Sequence, residues 1–87
     1  MEIRIEPHTL KRAMERGASR DEITETINNG FPVSAKSGRK AKELVFDFKQ
    51  ERNGKYYEQK KIEAYFIIEN NIIITITVYV FYGKFKN

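Results

Sequence analysis

The sequence predicts an α+β domain in which two N-terminal helices pack on one face of an antiparallel β-sheet. Three observations predict it. Apolar residues recur at helical spacing from residue 8 to residue 29. From residue 44 onward they alternate with polar ones, as on a half-buried strand. The change of period happens once, so helices and strands are segregated rather than interleaved. The chain has 87 residues, 40% of them hydrophobic, which predicts a single domain over residues 1–87 with one modest core.

The elements follow in order. Residues 2–5 alternate polar and apolar and read as a short strand. Pro7 sits where a helix can begin. Leu10, Ala13 and Met14 then share one helical face, and Gly17 is a natural C-terminal cap. Ser19 and Glu22 have the spacing of a capping box, and Asp21 adds negative charge at the positive helix start. This second helix turns Ile23 and Ile27 inward and ends at Asn29-Gly30. Residues 31–34 read as a short extended piece, and residues 35–42 as a basic loop. Leu44, Phe46 and Phe48 alternate with Val45, Asp47 and Lys49 as a strand. Asn53-Gly54 is a turn signal. Residues 60–68 and 72–82 are the strongest strand candidates.

Register follows from which rows are apolar. A three-residue Glu69-Asn70-Asn71 loop pairs Ile68 with Ile72 and joins the Ile62, Ala64, Phe66, Ile68 row to the Ile72, Ile74, Ile76, Val78, Val80 row. The opposite, open face then sets Tyr65 beside Thr75, Glu63 beside Thr77 and Lys61 beside Tyr79. A plain two-residue turn at Asn53-Gly54 pairs Phe46 with Lys61, so a bulge or longer loop is expected there. The Ile72–Phe81 strand is either central or a self-pairing edge, and an edge implies a homo-oligomer.

Composition limits the chemistry. There is no cysteine and one histidine, which leaves neither a disulfide nor a convincing zinc site, so no metal and no cofactor is expected. No glycine-rich phosphate-binding motif occurs. Ile72–Phe81 is too short and too β-branched to cross a membrane as a helix. The first six residues lack the pattern of a signal peptide, and a cytoplasmic location is expected. The net charge of +4 directs attention to anionic partners.

Three constellations could bind them. His8, Arg12 and Arg16 recur every four residues, so each step drifts only about 40° and all three line one stripe opposite Leu10 and Met14. A histidine can move a proton and the arginines can hold a phosphate. An ordinary polar helix face explains the same spacing. Lys36, Arg39, Lys40 and Lys42 form a local anion site with Gly38 among them, or a solvated loop. Tyr79, Tyr82 and Lys84 belong to an aromatic and basic end that could stack bases, or simply complete the sheet.

The run His8-Thr-Leu-Lys-Arg12-Ala-Met-Glu-Arg16-Gly17-Ala-Ser19-Arg-Asp21-Glu22-Ile23 resembles the opening of the family of domains of unknown function called DUF4258. Members of that family begin with His-Ala, then arginines at four-residue spacing, an Arg-Gly-Ile-Ser turn and an acidic helix. They end with a strand resembling Ile76-Thr77-Val78-Tyr79. This sequence has Thr9 where alanine is usual and Ala18 where isoleucine is usual. The family is similar to the BrnT and RelE/ParE superfamily of toxins. The resemblance implies two helices on an antiparallel sheet, a metal-independent endoribonuclease, free or acting on ribosome-bound mRNA, and an antitoxin partner.

Taken together, the expected function is RNA cleavage by attack of a 2′-hydroxyl on its own phosphate. His8, Arg12, Arg16 and Tyr79 are the catalytic candidates. Arg39, Lys40, Lys61, Tyr82 and Lys84 are the candidates for binding RNA. A non-catalytic module that binds RNA or protein needs only the charge and the rings.

Overall fold

The structure, a computed structural model, describes residues 1–85. Seven elements follow one another: β1 (Glu2–Ile5), α1 (Pro7–Arg16), α2 (Arg20–Asn29), β2 (Phe31–Val33), β3 (Lys40–Arg52), β4 (Lys55–Glu69) and β5 (Ile72–Gly83). They build one five-stranded sheet in the order β1-β5-β4-β3-β2. Strands β2 to β5 pair antiparallel, whereas β1 joins β5 in parallel, so the sheet is mixed rather than antiparallel throughout. Hairpin reasoning fixes only strands that are neighbours in sequence. The pairing of the first strand with the last is non-local, and it makes β5 a central strand along Ile72–Thr75.

Both helices lie on one face, as predicted. Ala13, Ala18, Ile23 and Ile27 meet Ile5, Ile62, Ala64, Phe66 and Val78 in the core. Pro7 starts α1, and Gly17 ends it at φ 105°. A Cβ on Gly17 would collide with the Tyr82 hydroxyl, so this position needs glycine for space as well as for its left-handed backbone. The capping box of α2 is complete: the Glu22 N–H donates to Ser19 Oγ at 3.1 Å and the Ser19 N–H donates to Glu22 Oε1 at 3.0 Å. Met14, expected to turn inward, is 60% exposed. Only the small Ala13 side of α1 approaches the sheet closely.

Two bulges set the register. The β4–β5 connection is a two-residue turn, with Asn70 at φ 49° and Asn71 at φ 65°, pairing Glu69 with Ile72 and Ile68 with Ile73. This corrects the expected three-residue loop. The apolar rows are joined instead by a register shift beside Tyr65 and Phe66, after which Ala64 pairs with Val78 and Ile62 with Val80. One extra residue, Ile76, reverses the facing of everything beyond it. Thr75 is therefore fully buried on the helix side, whereas Thr77 faces the open side. The expected irregularity near Asn53-Gly54 is also a bulge, between Asp47 and Gln50, with Lys49 at φ 50°. The basic segment is shorter than expected as a loop, since Lys40, Ala41 and Lys42 already belong to β3.

Candidate functional site

β1 covers the edge of β5 only as far as Thr75. Beyond it, polar side chains of α1 take the place of a strand. The Thr9 hydroxyl donates to the Ile76 carbonyl at 3.1 Å, and Arg16 Nη1 donates to the Val78 carbonyl at 2.8 Å. This docking sets the polar stripe of α1 against β5. His8, Arg12 and Arg16 consequently line one small cleft of about 170 Å³, floored by Ile76, Thr77 and Val78. His8 and Arg12 are exposed, whereas Arg16 is half-buried and partly committed to the fold.

Thr77 also lines a second, larger hollow of about 470 Å³ on the open face of the sheet. Its walls are Tyr65 and Tyr79, with Lys36 and Arg39 reaching over from the segment between β2 and β3. The two tyrosine rings meet edge to face at 5.7 Å, and the Arg16 guanidinium lies 5.5 Å from the Tyr79 ring centre. Tyr79 is 43% exposed, which leaves ring surface open for a flat ligand. Burial raises the Tyr65 pKa, and a hydrogen bond to the Glu63 carboxylate at 3.1 Å raises it further, so this phenol stays protonated at neutral pH. Among the described residues no carboxylate lines either hollow, so both favour an anion.

The remaining candidates are placed elsewhere. Lys61 lies beside Phe81, not Tyr79, and faces Glu43 at 3.6 Å and Glu63 at 3.8 Å, so its charge is already balanced. Tyr82 is on the helix side of β5, opposite Tyr79. Its hydroxyl donates to the Arg16 carbonyl at 2.6 Å and its ring packs on Phe48 and Tyr57, which makes it a structural residue rather than a base-stacking one. Burial raises its pKa, with Arg52 opposing and Glu22 adding to the rise. Lys40 pairs opposite Phe66 and so belongs to the helix side, where it lines a groove of about 270 Å³ with Arg39 and Lys42. Lys84 is exposed beyond the end of β5, outside both hollows.

Three contributors were placed by the sequence, Lys36 in the basic run and Tyr65 and Thr77 on the open face, without being site candidates. Thr77 joins the two hollows, Tyr65 walls the larger one, and Lys36 adds a cation there. Alternation along β4 and β5 carries the signal for Tyr65 and Tyr79 sharing a face. It carries Thr77 onto that face as well, whereas the Ile76 bulge turns Thr75, expected beside Tyr65, into the core. Among the described residues no group of three His, Cys, Asp or Glu side chains is arranged to hold a metal ion, and no helix is long and apolar enough to cross a membrane.

No family model matches the chain, and no curated protein or solved structure matches it. The likeness to DUF4258 and its toxin relatives therefore rests on the His8–Ile23 run and on the Ile76–Tyr79 strand alone.

Proposed function

We propose that this protein is a toxin-like endoribonuclease with a RelE/BrnT-like fold, acting in the cytoplasm and held in check by an antitoxin. The observation that carries the reading is the cleft in which His8 and Arg12 converge on Thr77 with no carboxylate among them. In the reaction, the RNA 2′-hydroxyl attacks the adjacent phosphorus and forms a 2′,3′-cyclic phosphate as the bond to the 5′-oxygen breaks. His8 accepts the 2′-hydroxyl proton, and water in the open cleft or the Tyr79 phenol returns a proton to the leaving oxygen. Arg12 and the free nitrogens of Arg16 stabilise the extra negative charge of the pentavalent state. Tyr79 holds a neighbouring base, and Arg39 the next phosphate. No metal is required by these steps.

A non-catalytic RNA-binding module is the second reading. It is favoured by the bond from Arg16 to the Val78 carbonyl, which gives that arginine a structural task. Substitution separates the two. His8→Ala should abolish cleavage of RNA, and growth arrest on expression, while leaving RNA affinity within about twofold. Arg12→Ala should lower both cleavage and affinity, by roughly tenfold for a lost charge-assisted phosphate contact. Cleavage and arrest unchanged in both variants would remove the catalytic reading. Binding that is retained with no product in the unsubstituted protein would leave the module.

A further inference from the structure

The sheet has two free edges, and they differ. On one side β2 carries Pro32, which has no N–H to donate, and β3 beyond it is interrupted by the bulge at Lys49. Both features discourage pairing with a further strand. On the other side β1 is a regular four-residue strand paired to β5, with no strand among the described residues along its outer edge. Its side chains alternate. Ile3 and Ile5 turn to the helix-side core, and Glu2 and Arg4 to the opposite face, where they approach to 3.3 Å.

We propose that β1 pairs antiparallel with β1 of a second copy of this chain, about a two-fold axis through Ile3. The two five-stranded sheets then form one continuous sheet with all helices on the same side. Side-chain chemistry selects this register. With Ile3 opposite Ile3, each Glu2 lies opposite an Arg4 of the other copy, and the apolar residues meet on the core face. A shift of one residue sets Ile3 against a charge. A shift of two sets Arg4 against Arg4 or Glu2 against Glu2. A strand that is charge-complementary to itself in a single register suits an isologous contact.

The same register covers apolar surface. It sets Met1 of one copy, 68% exposed in the monomer, opposite Ile5 of the other. Ile5 floors a groove of about 570 Å³ walled by Pro7, Leu10 and Met14. The second copy's Met1 seats at its mouth. Four-residue pairing with one such anchor is a small contact, so the dimer is weak and concentration-dependent.

Sedimentation velocity of the full chain, from roughly 1 μM to 1 mM, tests this. The expected result is a shift from monomer to dimer within that range. Arg4→Glu places acid opposite acid at both ends of the contact and should weaken the dimer by roughly tenfold or more. The double variant Glu2→Arg with Arg4→Glu restores complementarity and should restore the dimer. Circular dichroism confirms folding, and where Arg4→Glu lowers the melting temperature the double variant carries the test. A monomer throughout, a dimer indifferent to Arg4→Glu, or a folded double variant that fails to dimerise would each overturn the proposal.

Discussion

Lys60 places a buried ammonium under the end of α1, where it donates to the Gly17 carbonyl at 2.7 Å and to Glu22 Oε1 at 3.0 Å. A cation there complements the negative end of the helix and keeps the buried charge paired. The same carboxylate completes the cap of α2, so one ion pair ties both helices to β4. Burial by itself raises the Glu22 pKa. The Ser19 N–H, the Lys60 ammonium and the Ser19 hydroxyl outweigh it, and the net shift is downward. A carboxyl whose pKa falls on folding contributes stability above its unfolded pKa and loses it as pH falls through the folded value. Urea unfolding should therefore find Glu22→Gln less stable by about 1 kcal/mol at neutral pH, with the difference lost as pH falls below the ordinary carboxylate range. A difference that does not change with pH would mean that the Glu22 charge contributes nothing to stability. Lys60 was not singled out from sequence, because a lysine on an inward row is read as an exception to that row. The alternation that turns Ile62, Ala64 and Phe66 inward also turns Lys60 inward and Lys61 outward.

At the scale of elements, what was legible was local. The capping box, the Gly17 stop, the two hairpins and the position of α2 all follow from short-range patterns with a defined cause. The β4–β5 register did not, because the chain restores its apolar match with a bulge at Ile76, within the hairpin, rather than in the turn. Counting alternation from the turn outward cannot see an extra residue whose reward is long-range packing. The turn itself has a testable signature. Both central residues have positive φ, as in a type I′ turn. Asn71→Gly should match or exceed the parent in stability, whereas Asn71→Ala should cost about 1 kcal/mol, because a Cβ without a local polar partner disfavours the left-handed region. Thermal melts that rank alanine with glycine would contradict a left-handed Asn71.

Across the whole molecule, charge is sorted rather than spread. The open face carries Glu43 and Glu63 around Lys61 as a paired, net acidic cluster in its middle. The acid-free hollows lie to one side, where α1 meets β5 and the segment between β2 and β3 folds over. Composition revealed the net charge but not this separation, which depends on α1 replacing a strand along the upper part of β5. His8, Arg12 and Arg16 were legible as one stripe from helical spacing, and Tyr79 as an open-face residue from strand parity, but the docking of α1 on β5 is what brings Arg16 to Tyr79. Arg39 joins them only because of how its segment folds. Tyr82 and Lys61 depart because strand parity and acidic neighbours claim them. On the proposed function, this junction cuts RNA through the substrate's own 2′-hydroxyl. The direct measurement is cleavage of a single-stranded RNA in excess EDTA, beside the same strand carrying a single 2′-deoxy substitution at the mapped cut. The account predicts a 2′,3′-cyclic phosphate and a 5′-hydroxyl from the first strand and no cut at that position in the second. Cleavage that survives the 2′-deoxy substitution, or that stops on adding EDTA, would contradict it.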